Sequence, residues 1–351
     1  VRHGTRLGIS GSDAYRRIME DFKNLQERNK KEVDKLLNLM QKDPEAALRY
    51  AIPLDEHGYS RGKEVGGFKM QDRGLDLSLF GRRSGKTGGT VSLGDEFHRL
   101  RRQYLEAAKA LEGQGKFEKA AYIYLKLLKD HNAAAEVLKK GKHYEKAAVV
   151  YLRYLKNELA AAECYEFGKI YDEAIPLYAK MKKWEKVGDL NGLRGDEAAA
   201  LSAYQLQLDQ ELEKNALVKA AMLSKNKMKN LPGAQVILIR GWDENIDAYN
   251  CLQQYLANQP DDEAAWREIK RIGHHQLNAS NEVVFLRVLS KEYANNVERR
   301  AEVKHLALEL ISALLPAGKV SAHRLLDFNE RDIRLRADAV RYQLNKSKHL
   351  K

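Results

Sequence analysis

One pentapeptide returns at a fixed step and limits the folds open to this chain. Phe117-Glu118-Lys119-Ala120-Ala121 recurs as Tyr144-Glu145-Lys146-Ala147-Ala148 and again as Tyr171-Asp172-Glu173-Ala174-Ile175, the two steps being equal. Ala133-Ala134-Ala135-Glu136 is answered in the same phase by Ala160-Ala161-Ala162-Glu163. A period of this size marks a supersecondary unit that cannot bury its apolar face alone, so neighbouring copies must stack. Such a stack presents a surface more readily than it builds a catalytic centre.

The apolar spacing makes each unit a pair of helices. The first helix runs from the aromatic-acid signature through Tyr122-Ile123-Tyr124-Leu125, or Val149-Val150-Tyr151-Leu152 in the next copy. The second, shorter helix carries the alanine triplet, whose small side chains allow close helix approach. Gly113, Gly115, Gly141, Gly168, Gly188, Gly192 and Gly195 fall mostly where one helix should end, as left-handed C-terminal caps.

Outside the repeat, residues 12–42 read as one helix, with Ser12 or Asp13 as cap and Ile18, Phe22, Leu25, Val33, Leu36, Leu37 and Met40 at helical spacing. Asp43-Pro44-Glu45 restarts a helix that stops before Pro53. Residues 53–94 are rich in glycine and form a linker with one expected hairpin, from Gly67-Phe68-Lys69-Met70 and Leu75 to Phe80. Beyond Glu211 the period fades, with breaks expected at Leu231-Pro232-Gly233 and Gly241-Trp242. Further helices are expected over 243–257, 261–271, 281–295 and 297–314, then a basic one over 327–343. The expected divisions are 1–52, 53–94, 95–320 and 321–351.

Gly141-Lys142-His143-Tyr144-Glu145-Lys146-Ala147-Ala148, with Tyr151 further along, resembles the tetratricopeptide-like class of α-solenoids over about residues 104–208. Ala161-Ala162-Glu163-Cys164-Tyr165 resembles the opposing helix of that class. The chain departs from the standard repeat in its shorter period, ~27 against ~34, and it lacks the Trp-Leu-Gly opening and the closing proline. The resemblance implies an all-α fold, a right-handed α-α superhelix of antiparallel helix hairpins, and a role in protein–protein scaffolding.

Composition narrows the function. The formal charge is +12, with Lys and Arg spread over the whole chain, so long solvated helices and an anionic partner both explain it. Cys164 and Cys251 stand in no metal-ligand spacing and suit a reducing, cytoplasmic compartment. No run reaches the ~18 apolar residues that span a bilayer. Val1-Arg2-His3-Gly4 has no apolar signal core and no initiator Met, consistent with a piece of a longer polypeptide.

Chemical motifs are weak. Gly85-Lys86-Thr87 resembles the end of a phosphate-binding loop, but Phe80 stands where the first glycine belongs and Gly88-Gly89 follows where a helix should open. His274-His275 would point about 100° apart on a helix and lack an i+4 ligand. No catalytic, cofactor or metal residue is assigned, and the chain is expected not to be an enzyme. The expected contact residues for a protein partner are Tyr154, Tyr165 and Tyr178, placed by helical position as partly exposed, with Arg331, Arg334 and Arg341 of the basic C-terminal helix. The runner-up is a nucleic-acid-binding helical repeat.

Overall fold

A computed structural model of the chain describes residues 11–51, 54, 59–61, 79, 90–92, 95–329 and 333–349. It divides into two compact units, Val1–Lys182 and Lys183–Lys351. Both are helical, and within each unit most helices that follow one another in sequence pack together.

The first unit opens with α1 (Gly11–Lys42). Asp43 then ends one helix and starts the next, its carboxylate accepting from the amides of Glu45 and Ala46 at 3.1 and 3.0 Å. The short α2 (Pro44–Ala47) follows. Val33, Leu36, Leu37 and Met40 of α1 are buried where α2 and α3 (Asp95–Gly113) pack on it. Arg99 of α3 reaches Asp34 of α1 at 2.9 Å. Between α2 and α3, Tyr59–Arg61 pairs antiparallel with Thr90–Ser92, Tyr59 opposite Ser92. Neither segment carries an apolar alternation that would announce this pairing. The hairpin expected at 67–80 lies, apart from Leu79, outside the described residues, as does Gly85-Lys86-Thr87.

The repeat then appears as expected, as helix hairpins. They comprise α4 (Phe117–Tyr122), α5 (His131–Lys140), α6 (Tyr144–Val150), α7 (Glu158–Phe167) and α8 (Tyr171–Lys180). Asp130 and Asn157 cap α5 and α7, accepting from the Ala133 and Ala160 amides at 2.9 and 3.0 Å. Two features depart from the simple pattern. First, α4 and α6 each end in a π-helical turn, Ile123–Leu127 and Tyr151–Leu155. Second, Gly115 before the first copy is left-handed as expected, at φ 73°, but the glycines before the next two copies are not. Gly141 and Gly168 have φ −76°, while Lys142 and Lys169 beside them have φ 59° and 58°. Gly141 is required by packing: a Cβ there would lie 2.5 Å from the Cβ of Phe117, the signature aromatic of the preceding copy. Gly168 meets Tyr144 in the same way, at 3.0 Å. The aromatic and the glycine of the motif are therefore the two halves of one contact between successive copies.

The second unit comprises α9 (Trp184–Leu193), α10 (Glu197–Glu213), α11 (Leu217–Asn226), α12 (Leu231–Asp243), α13 (Ala248–Ala257), α14 (Asp262–His275), α15 (Glu282–Asn295), α16 (Arg300–Leu314), a 3₁₀ segment Ala322–Phe328 and α17 (Ile333–His349). Gly188 lies inside α9 and Gly192 in its last turn, while Gly195, just past the end, is left-handed as expected at φ 82°. Leu231-Pro232-Gly233 starts α12 instead of breaking a helix, because Asn230 accepts from the Gly233 amide at 2.9 Å and Pro232 falls in the first turn. Gly241 and Trp242 stay inside α12, where Trp242 is wholly buried and its ring centroid lies 6.0 Å from that of Phe285. Trp266, Ile269, Leu286, Leu289, Ile311 and Phe328 complete this core.

Candidate protein-binding surface

The repeat tyrosines form a ladder of buried rings with tethered hydroxyls. Tyr124 donates to Glu112 at 3.1 Å, Tyr151 to Glu136 at 2.6 Å and Tyr178 to Glu166 at 2.6 Å. The second unit repeats the device with Tyr204 on Asp189 at 2.7 Å and Tyr255 on Glu268 at 2.8 Å. Burial pushes the Tyr124 phenol up to about 12, with the charge of Glu112 adding to it. Tyr151, Tyr178 and Tyr204 are raised for the same reasons, burial first and the carboxylate second. The Tyr151 hydrogen bond in turn holds Glu136 below its usual range.

This ladder corrects the expectation for two of the three singled-out tyrosines. Tyr178 is 1% and Tyr165 6% exposed. Tyr178 faces the preceding helix because Glu166 fixes its hydroxyl, and Tyr165 is desolvated between its neighbours. Tyr154 is exposed, presented by the π-turn that follows α6 and stacked on His131 at 4.8 Å between ring centroids.

Packing leaves other apolar side chains unused. In the first unit Leu159 and Phe167 of α7 join Tyr154 on the surface, Phe167 lying 6.0 Å from the Tyr144 ring. In the second, Leu201 and Leu206 of α10, Met222 of α11 and Val236 of α12 are exposed on three successive helices.

The second unit also has an open groove of about 520 Å³ between α14 and α16. Trp266, Lys270 and His274, one turn apart on α14, form one wall; Glu302, His305, Leu306 and Glu309 form the other. The buried Trp266 ring makes the floor, its Nε1–H donating to Glu302 at 2.9 Å, and Lys270 sits over it at 5.7 Å. An apolar floor with a mixed-charge rim suits a peptide side chain or helix edge. Sequence reading misses this groove. The i, i+4, i+8 spacing of Trp266, Lys270 and His274 is visible in the residues, but the opposing wall comes from a helix two elements further on.

His274 and His275 are adjacent on α14 with ring centroids 6.2 Å apart, and among the described residues no three His, Cys, Asp or Glu side chains gather as a metal site. Cys164 and Cys251 are buried, and burial raises both thiols to about 11. On α17, Arg334 and Arg341 are exposed and Arg341 lies 3.4 Å from Asp338; Arg331 is outside the described residues. No described helix is long and apolar enough to cross a membrane.

No protein-family model, curated protein or solved structure matches this chain.

Proposed function

We propose that the chain is a non-catalytic scaffold of the tetratricopeptide-like kind. On this reading it binds another protein, or another part of its own longer polypeptide, along its helical-repeat surface. One observation carries this. The repeat alanines and most repeat tyrosines are consumed by packing, while apolar side chains on successive helices, Leu206, Met222 and Val236 among them, stay exposed. Large apolar side chains left in water on neighbouring helices are the kind of surface that partners cover. Two buried free thiols support a reducing compartment, and hence the cytoplasm. The test is quantitative affinity capture with the full chain against Leu206→Asp/Val236→Asp. A specific protein is expected with the first and not with the second; repeated recovery of none from the source cell sinks the reading.

Nucleic acid binding is the second reading. It rests on Lys142, Lys156, Lys169 and Lys182, all exposed and all left-handed residues in successive connections between helices. A gel shift that weakens steeply with salt is its signature. Absence of a shift at low salt removes it.

A further inference from the structure

The first half of α1 carries an exposed apolar stripe on which no other described element packs. Tyr15, Ile18, Met19 and Phe22 are 66%, 65%, 49% and 52% exposed, and no described residue of α1 before Val33 is buried. Most helical stability in proteins comes from packing an amphipathic face, so a bare stripe of this kind signals a missing neighbour.

The stripe has a definite relation to the core. Tyr15, Ile18, Met19 and Phe22 precede Val33, Leu36, Leu37 and Met40 by one constant offset, equal to five full turns of an α-helix. The two sets occupy the same face of one helix. On the later set that face is filled by α2 and α3, whose near end is marked by the Arg99–Asp34 ion pair. The earlier set is the same seam continued past the body that covers it.

We propose that the occupant is a second copy of this chain, its α1 running antiparallel along the stripe. Tyr15, Ile18, Phe22 and Leu25 follow the 3-4-3 spacing of a two-helix seam. A parallel copy would drive its residues 33–40 into the face that already holds α2 and α3. An antiparallel copy sets Tyr15 beside Leu25 and Ile18 beside Phe22, in both directions. Each helical body then lies beyond the other's apolar stripe. Met19 meets its own copy near the two-fold axis, as an isologous interface requires. The pairing buries roughly 500 Å² per chain, about 1,000 Å² in all, at the lower edge of specific interfaces, so reversible association is expected.

Sedimentation equilibrium of the full chain from about 1 to about 100 μM tests this, because a marginal interface dissociates within that range. The wild type is expected to pass from monomer to dimer. Ile18→Asp/Phe22→Asp is expected to stay monomeric with an unchanged far-UV circular dichroism spectrum. Orientation is read from oxidative crosslinking, in which Tyr15→Cys mixed with Leu25→Cys gives a disulfide dimer and Tyr15→Cys alone does not. A wild type that remains monomeric at the highest concentration overturns the proposal, as does an aspartate variant that associates equally. Self-crosslinking of Tyr15→Cys overturns the antiparallel arrangement.

Discussion

Substituting Gly188 by alanine probes how tightly the tyrosine ladder is wedged into its neighbours. Gly188 lies in the middle of α9, where alanine would ordinarily gain about 1 kcal/mol in helix propensity. Here the added Cβ would stand 2.5 Å from Cδ1 and 2.8 Å from Cζ of Tyr204, and closer still to Cε1. Ordinary carbon contacts are ~3.5–4.0 Å, so the ring must retreat by roughly 1 Å. It cannot do so freely. Tyr204 is 8% exposed, and its hydroxyl is fixed on Asp189 at 2.7 Å, itself paired with Lys227 at 2.6 Å. Overpacking costs about 1–3 kcal/mol, and a weakened hydrogen bond adds about 1 kcal/mol. Net of helix propensity, Gly188→Ala should destabilise by about 2 kcal/mol. Tyr204→Ala alone should cost about 3 kcal/mol. In that background the ring is gone, and Gly188→Ala should stabilise by up to about 1 kcal/mol. The sign reversal amounts to a coupling of about 3 kcal/mol, measurable by urea denaturation followed by far-UV circular dichroism. Tyr204→Phe, which keeps the ring, should leave the glycine substitution harmful. Equal destabilisation by Gly188→Ala with and without the ring would refute the wedge.

Three further outcomes follow from the loops, the thiols and the ladder. Lys142→Gly and Lys169→Gly should each raise stability by about 0.5 kcal/mol, since a left-handed lysine costs more than the extra unfolded freedom of glycine; Gly115→Ala, at φ 73°, should lower it by a comparable amount in the same urea assay. Cys164 and Cys251 in the native chain should react with iodoacetamide at pH 8 more than about 100-fold more slowly than a free cysteine, because burial raises both thiols to about 11. The tyrosines give an alkaline limit. A phenol raised in the folded state contributes stability that is complete below its unfolded value near 10 and is lost as pH climbs through the folded value, about 12 for Tyr124. The urea midpoint should therefore fall between pH 10 and 12, and less steeply in Tyr124→Phe.

Much of this fold can be read from the residues. The extent of α1, the cap at Asp43, the hairpins of the repeat and the helices at 282–295 and 300–314 follow from apolar spacing and capping chemistry, which act over a few residues. What escapes reading depends on neighbours distant in sequence. Gly141 looks like a left-handed cap until Phe117 is seen against it, and the left-handed residue proves to be Lys142. Tyr178 has a helical position compatible with exposure, but Glu166 on the helix before it turns the ring inward. The groove at Trp266 needs α16 for its second wall, and the pairing of Tyr59–Arg61 with Thr90–Ser92 is too short to leave a pattern. Of the expected contact residues, Tyr154 reaches the surface because one π-turn carries it outward.

The left-handed residue in each connection has a consequence for how such a chain can grow. Gly115, Lys129, Lys142, Lys156 and Lys169 recur once per connection, each redirecting the backbone from one helix into the next. The connection acts as a standard joint, indifferent to the length of the rods it links. In the second unit the 17-residue α10 is still bracketed by joints at Gly195 and Asn215. Excising residues 142–168 would bring Gly141 against Lys169, restoring the original glycine–lysine joint with one rod pair fewer. Duplication and loss of whole units are therefore geometrically neutral moves, while the helices between joints are free to lengthen and to lose their common spelling.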